Sequence, residues 1–317
     1  MNFDLTPEIA SMCEVVQRAA ADSRDFGADE QWRRLSELGV FDLRGDNSPL
    51  PGAVEVGVVS VLDHLGQAAL RGPFAESIWA GSDVLASAGG LVTMASTVVV
   101  GGETFVPYLQ RQPRLLHAAG ADPACWTVQH DPATRGADVP VERGQHAWAA
   151  AGGARPLAEL EPAYAWRAAA ATSAGLMSAV LDRTVEHARV RTQFGRTLAS
   201  FQAVQNRLAE CLWRVEGLRL IVREAAWRAD RGQQLAEPVS ALAWIYARRV
   251  SHLVARHCHQ VLGAIGFTDE FGVTQLTGAA AVQRSVLPEK PAIKAVRAAR
   301  AVRAGDPASS VLGGFVA

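Results

Sequence analysis

The sequence predicts a mainly α protein in which a small β domain separates two helical parts. Residues 1–90 carry helix start signals and apolar residues at helical spacing, whereas residues 91–160 carry short β-branched runs broken by Gly and Pro. Residues 161–317 return to helical spacing over longer stretches. We therefore predict an N-terminal helical domain, a reduced central β domain and a C-terminal antiparallel four-helix bundle.

The N-terminal part contains signals for four helices. Thr6-Pro7-Glu8 supplies a capping hydroxyl, a proline suited to a first turn and an acid that favours a helix start. The second helix is predicted within residues 29–41, where apolar residues stand three apart. The third runs from about Val54 to Leu70, and the fourth from about Ala75 to Ala88 before a Gly-Gly pair.

The C-terminal part contains three long predicted helices. They run from Ala163 to about Val190, from about Ser200 to Ala229, and from Glu237 to about Leu262. The apolar stripe of the second is Val204, Leu208, Cys211, Leu212, Val215, Leu218 and Val222. A basic series between Lys290 and Arg303 is more typical of a solvated helix face than of a phosphate site.

Composition restricts the class of protein. The chain has 317 residues, and its 31 basic and 32 acidic residues nearly cancel, so no global field favours nucleic acid or an anionic membrane. The start has two acids and no apolar core, which argues against a signal peptide, and no run is long enough to span a bilayer. Four scattered cysteines show neither metal nor redox spacing. We expect a cytoplasmic protein with no metal.

The join between the first two long helices carries more chemistry than a loop requires. It reads RTQFGRTLASFQAVQNRLAE, from Arg191 to Glu210. Gly195 permits a chain reversal and Ser200 can cap the next helix, so structure alone explains these residues. It does not explain the crowding of Gln193, Phe194 and Arg196 beside Gln202 and Gln205. A cation, amides and an aromatic ring together suit an anionic, planar ligand.

This join resembles a motif of the acyl-CoA dehydrogenase family, R-x-Q-F-G-x-x-L-x-x-F-Q-x-x-Q-x-x-L-A. The matching residues are Arg191, Gln193, Phe194, Gly195, Leu198, Phe201, Gln202, Gln205, Leu208 and Ala209. The domain order also resembles that family. The resemblance implies that Arg191 and Gln202 contact FAD across a subunit interface, with Phe194 packing nearby.

A second segment, HQVLGAIGFTDEFG from His259 to Gly272, resembles the family's Q-x-x-G-G-x-G-F segment, whose backbone lies against FAD. Gln260, Gly263 and Gly266 match, and Ala264 replaces a glycine. The neighbouring cluster His252, His257, Cys258 and His259 does not predict a metal site, because residues 257 and 259 lie about 200° apart on a helix.

The resemblance also implies a catalytic base. Glu270 follows Phe267 at the spacing where many members carry a glutamate. The alternative interpretation of Glu270 is a solvated acid at the start of a helix, without a catalytic role. The implied reaction removes the α proton of an acyl-CoA thioester while a hydride passes from Cβ to FAD, in an apolar pocket that raises the pKa of the glutamate. The implied partners are acyl-CoA, an electron acceptor protein and further subunits.

Departures from the family leave alternatives open. The T-E-P-x-x-G-S-D type motif has no counterpart between Leu91 and Leu157, and the E-G-T-S type loop is absent after Gln275. Short members resemble subunits of heteromeric enzymes of bacterial sterol side-chain degradation, in which two unlike chains share each flavin site. The chain is thus expected to form a homo-oligomer or a heterotetramer with a second chain of this kind. The alternatives are a non-catalytic partner subunit, a flavin monooxygenase and a flavin-free interaction protein.

Overall fold

The structure, a computed structural model, describes residues 5–22, 28–44, 48–50, 52–70, 74–80 and 161–303, together with seven short strands between residues 92 and 149. The helices are α1 (Pro7–Asp22), α2 (Ala28–Glu37), α3 (Val54–Gln67), α4 (Phe74–Ala80), α5 (Pro162–Val190), α6 (Gln202–Asp230), α7 (Ala236–Leu262), α8 (Val273–Val286) and α9 (Glu289–Arg303). The predicted fold class, mainly α with a small β part, is confirmed.

Seven short strands are described between residues 92 and 149, and not all of them coincide with β-branched runs. They are β1 (Val92–Thr93), β2 (Val99–Val100), β3 (Glu103–Val106), β4 (Arg114–Ala118), β5 (Trp126–Gln129), β6 (Thr134–Gly136) and β7 (Ala147–Ala149). One sheet has the order β1-β4-β5 and the other the order β2-β3-β7-β6. Strand β1 is parallel to β4, and the remaining pairs of these two sheets are antiparallel.

Helices α5, α6 and α7 pack side by side as an antiparallel bundle, with α8 against α5 and α9 against α7. The direction of the helices follows from their contacts: Cys211, early in α6, lies 3.8 Å (Sγ to Nδ1) from His257, late in α7. Burial of apolar side chains on facing stripes stabilises this arrangement. Among the described residues, the largest fully buried side chain is Trp244, whose indole N–H donates to the Leu287 carbonyl.

The N-terminal helices join this core through α3, which crosses α5 at two glycines. A Cβ added at Gly175 would lie 2.0 Å from the Asp63 carbonyl oxygen, and one added at Gly66 would lie 2.8 Å from the Thr172 carbonyl oxygen. Both contacts are with backbone, which cannot move aside. Glycine at both positions therefore allows the two helices to touch.

A buried charged cluster, the bundle base, closes the end of the bundle where α5 begins and α6 ends. Arg167, only 3% exposed, forms an ion pair with Glu55 (2.7 Å) and a longer one with Glu161 (3.5 Å). Arg44 donates to the same two carboxylates at 2.9 and 3.0 Å. Asp230, at the end of α6, accepts hydrogen bonds from the first amide groups of α3. Every charge of this cluster thus has a partner, as buried charges require.

Several predicted details are corrected. Ser200 does not cap α6, because the capping residue is Phe201 and the Ser200 hydroxyl donates to the Thr197 carbonyl instead. Leu212, placed in the buried stripe, is 53% exposed. Of the fourth predicted helix, Phe74–Ala80 is observed, and residues 81–90 lie outside the described part. The Thr6 cap is confirmed, since the Ile9 amide donates to its hydroxyl at 3.4 Å.

Within the described ranges, none of the helices combines the length and the apolar character that a bilayer span demands.

Candidate functional site at the bundle tip

The end of the bundle opposite the base, here called the bundle tip, consists of residues 190–205 and 260–272. Helix α5 ends there, α6 begins there, α7 ends there and α8 begins there. The two segments meet through α5, because the Arg183 Nη1 donates to the Phe271 carbonyl and the His187 ring meets the edge of Phe271 at 5.6 Å. The antiparallel packing therefore brings the two sequence motifs to one surface.

The first segment is a β-hairpin, a feature that helical spacing did not predict. Strands β8 (Thr192–Gln193) and β9 (Arg196–Thr197) pair in antiparallel register, and the Leu198 amide donates to the Arg191 carbonyl at 2.8 Å. Phe194 and Gly195 form the turn, with φ of 53° and 76°. Positive φ at both central residues is the type I′ geometry that suits two-residue hairpins.

Phe194 occupies an unfavourable position in two respects. Its side chain is 92% exposed, and a φ of 53° is rare for an aromatic residue, at a cost of about 1–2 kcal/mol. Its ring meets the edge of Phe201 at 6.3 Å, and the Arg196 guanidinium lies 4.0 Å above the other ring. An exposed, strained aromatic residue beside a cation is typical of a binding surface, so this hairpin is part of the candidate site.

The second segment presents backbone and apolar side chains. Gly263 has φ of 65°, and a Cβ there would meet no atom within 4 Å, so the space before it is open. Gly266 is buried, and an added Cβ would lie 2.9 Å from the Leu262 Cβ. Phe267 is 67% exposed and stacks on His259 at 4.5 Å. Ala264 is not one of the described non-glycine residues with positive φ, so alanine is tolerated there.

Glu270 lies in the turn before α8, two residues ahead of Gly272, which has φ of 73° and precedes the first helical residue. Its side chain is exposed. The apolar pocket expected around this carboxylate is therefore not formed by the described residues of a single chain. The neighbouring Asp269 accepts a hydrogen bond from the Gln275 amide at 3.1 Å, which orders the turn.

All predicted site residues lie at the tip, and all are exposed. They are Arg191, Gln193, Phe194, Gln202, Gln260, Gly263, Ala264 and Glu270. Arg196 adds a further exposed cation, and neither it nor Arg191 pairs with a carboxylate among the residues described. The tip thus combines unpaired guanidinium groups, amides, a ring and accessible backbone, a donor set suited to a phosphate-bearing planar molecule.

The histidines near the tip point to different neighbours. His257 lies 3.9 Å from Glu210, whereas the Nε2 of His259 lies 3.2 Å from the Thr277 hydroxyl on α8. Burial lowers the pKa of both rings and that of His187. In the part of the chain that is described, no group of His, Cys, Asp and Glu side chains has the arrangement of a metal site.

One known protein family matches the bundle region of the chain. Residues 165–287 match the family described as "Acyl-CoA dehydrogenase, C-terminal domain". This region, less than half of the chain, is therefore similar to the C-terminal domain of the acyl-CoA dehydrogenases, the family that the two tip motifs resemble.

Curated relatives match over the same region. FadE25 of Mycobacterium tuberculosis, a probable acyl-CoA dehydrogenase, is 36% identical over 103 residues, which are 32% of this chain and 26% of the relative. An L-prolyl-[peptidyl-carrier protein] dehydrogenase of Pseudomonas fluorescens is 36% identical over 101 residues, 31% of this chain and 26% of the relative. The match thus spans about a quarter of the length of these curated relatives.

Solved structures match over nearly the whole chain. The ChsE4-ChsE5 complex from Mycobacterium tuberculosis superimposes with a TM-score of 0.68 at 21% identity, covering 96% of this chain and 99% of the other. Glutaryl-coenzyme A dehydrogenase in its glutaryl-CoA complex gives a TM-score of 0.72 at 17% identity, with 94% and 96% covered. At these identities the likeness establishes the fold.

Two features of the tip were missed from the sequence. Arg196 was grouped with the polar residues of the join, but its stacking on Phe201 depends on the hairpin turn. His259 was considered only as part of a cluster that does not predict a metal site, and its stacking on Phe267 depends on the short 3-10 helix Gly263–Phe267. The dipeptide Phe-Gly between two polar pairs was the only local signal for the hairpin.

Proposed function

We propose that the protein is a subunit of an FAD-dependent acyl-CoA dehydrogenase, which oxidises the Cα–Cβ bond of an acyl-CoA thioester. The observation that carries the proposal is the tip itself: two motifs shared with this family lie on one exposed surface, with Phe194 held in a strained and exposed conformation. The match of residues 165–287 to the C-terminal domain of the acyl-CoA dehydrogenases supports the reaction class.

The residues of the tip fit FAD. Arg191 would donate hydrogen bonds from its guanidinium group to a phosphate oxygen. Gln202, the first residue of α6, would donate a hydrogen bond from its side-chain amide to the same cofactor. The open space at Gly263 would admit the cofactor close to the backbone, and Phe194 would cover part of it. When bound, FAD would supply the oxidising power of the reaction as a hydride acceptor.

Glu270 is proposed to hold the α proton of the substrate. Its carboxylate would remove the proton from Cα, provided that the substrate or another chain covers it and excludes water. Its exposure in the isolated chain is consistent with a site that is completed on assembly.

A second chain is part of the proposal. At the tip, the apolar side chains of Val190, Phe194 and Phe267 are exposed. The family resemblance implies that Arg191 and Gln202, beside Phe194, contact FAD across a subunit interface. We infer a homo-oligomer or a heterotetramer with a related chain, served by an electron acceptor protein. One structural neighbour is itself a complex of two differently named chains, ChsE4 and ChsE5, which supports assembly with a second chain.

FAD binding is the first test. The full chain, expressed alone and with related chains encoded beside it, should carry flavin absorbance in at least one preparation. Arg191→Ala should weaken FAD binding about 10- to 100-fold, because a charge-assisted hydrogen bond contributes about 1.5–3 kcal/mol. Arg189→Ala, an exposed arginine on the last turn of α5, is the matched control and should bind normally. Equal affinity of both variants would contradict the Arg191 contact, and colourless protein in every preparation would contradict FAD binding.

Bleaching of bound flavin by acyl-CoA tests the base. Glu270→Gln should keep the flavin but lose the bleaching, since the amide cannot accept the proton, while Asp269→Asn should retain it. Bleaching that survives Glu270→Gln shows that another group removes the proton. A coloured complex that no acyl-CoA bleaches supports the non-catalytic partner instead.

A further inference from the structure

Two arginines meet at the far end of α8, away from the tip. Arg248, on α7, donates through Nη1 to the carbonyl oxygens of Arg284 (2.6 Å) and Leu287 (3.2 Å). It therefore satisfies the last carbonyls of α8, where the helix dipole favours a cation. Its guanidinium also lies 5.6 Å from the Trp244 ring centroid. These contacts fix Arg248 next to Arg284.

The positive charge of this pair is only partly compensated. Within the described chain, the acid paired with Arg248 is Glu289, at 3.9 Å from Nε, beyond hydrogen-bond distance. The side chain of Arg248 is only 22% exposed, and Arg284 is half-buried. Burial lowers the pKa of both guanidinium groups, and the charge of Arg248 lowers that of Arg284 further. Burial and the charge of Arg248 thus disfavour the positive charge of Arg284 at this position.

Unpaired polar atoms accompany this charge. The Nη1 of Arg284 is buried and has no hydrogen-bond partner among the described residues, and the same holds for the hydroxyl of Ser251. Ser251 follows Arg248 by three positions on α7, which places the two side chains about 60° apart around the helix. A buried donor left unpaired costs about 1–3 kcal/mol, so an apolar side chain at position 284 would give a more stable fold.

The bundle base shows how this fold treats a buried arginine when its role is structural. Arg167 is saturated there by two carboxylates. Arg284 has neither a carboxylate nor a carbonyl partner for its buried nitrogen within the described residues. This difference separates an arginine that holds helices together from one whose buried nitrogen has no partner in the described chain.

We propose that Arg248 and Arg284 form a binding site for an oxyanion, a phosphate ester or a carboxylate, at the corner of α7, α8 and the start of α9. The guanidinium of Arg284 and the remaining donors of Arg248 would grip the oxygens, as such forks do with both groups. Lys290, exposed one residue after Glu289, adds positive charge. The site goes beyond the proposed function, because Arg248 lies 14 residues before the end of α7, about 21 Å along the helix from the tip.

The test measures anion binding to the full chain, by calorimetry and by thermal unfolding. Sodium phosphate and sodium acetate are titrated against sodium chloride at matched ionic strength. Phosphate alone raising the unfolding midpoint indicates a phosphate ester as ligand, acetate alone indicates a carboxylate, and either result supports the site. If neither anion exceeds sodium chloride, the proposal is wrong.

Variants locate the binding. Arg284→Gln should raise the dissociation constant of the effective anion at least tenfold, whereas Arg297→Gln, which neutralises an exposed arginine on α9, should leave it unchanged. Equal binding by Arg284→Gln and the unaltered chain overturns the proposal. If Arg284→Gln does not fold, Arg284→Lys replaces it, because lysine keeps the charge but lacks the forked donors. An unchanged dissociation constant for Arg284→Lys would also overturn the proposal.

Discussion

The two ends of the bundle both contain arginines, but these arginines have different surroundings. At the base, Arg44 and Arg167 are largely buried and share the carboxylates of Glu55 and Glu161. At the tip, Arg191 and Arg196 are exposed, and no carboxylate pairs with them in the described chain. The contrast shows which arginines stabilise the fold and which remain available for a ligand, because buried charges require partners whereas solvated ones do not.

Removing a carboxylate at the base should have the largest effect. Glu55→Gln would leave Arg167 without its closest counter-charge, and breaking such a buried pair costs about 3–5 kcal/mol. Urea unfolding of the two proteins measures the loss. The control, Glu37→Gln, disrupts an exposed pair with Arg33 and should cost less than about 1 kcal/mol. Similar losses in the two variants would mean that the base contributes no more than a surface pair.

Relieving the strain at the tip should have a smaller effect of opposite sign. Phe194→Asn places a residue that tolerates positive φ in the turn, so the free energy of unfolding should rise by about 1 kcal/mol. The same change should weaken FAD binding, since the ring is lost. Phe194→Ala removes the ring but keeps the strained backbone, and should therefore weaken FAD binding without the gain in stability. A loss of stability in Phe194→Asn would show that the ring stabilises the isolated chain.

Lowering the pH should have the smallest of these effects on the stability of the folded chain. Burial lowers the pKa of His187, His257 and His259 from 6.5, so the folded state keeps these rings neutral at a pH where the unfolded chain binds protons. Stability is therefore complete above pH 6.5 and falls as the pH decreases below it.

Chemical unfolding between pH 5 and pH 7.5 tests this expectation. His259→Asn should reduce the slope of stability against pH, because burial lowers the pKa of this ring in the folded chain. A slope that is the same in the variant and the unaltered chain would assign the acid sensitivity to other groups.

The long helices were predictable because their signals are local. The predicted start at Ala163 and ends at Val190 and Leu262 agree with α5 and α7 to within one residue, since an apolar stripe and a terminal Gly act over single turns. The hairpin at Phe194 was not predictable in this way. Its turn places an aromatic residue where glycine or asparagine is preferred, so local preference argues against it.

The sequence by itself determined the fold class, the resemblance to the acyl-CoA dehydrogenase family and the identity of the residues that form the tip, because each depends on residue type and spacing along the chain. Only the tertiary structure decided that the segments around Arg191 and Gly263 share one surface, and that Glu270 is exposed on a single chain. Antiparallel packing of α5, α6 and α7 brings together positions about 70 residues apart, and whether a charge is paired depends on the neighbours that this packing supplies.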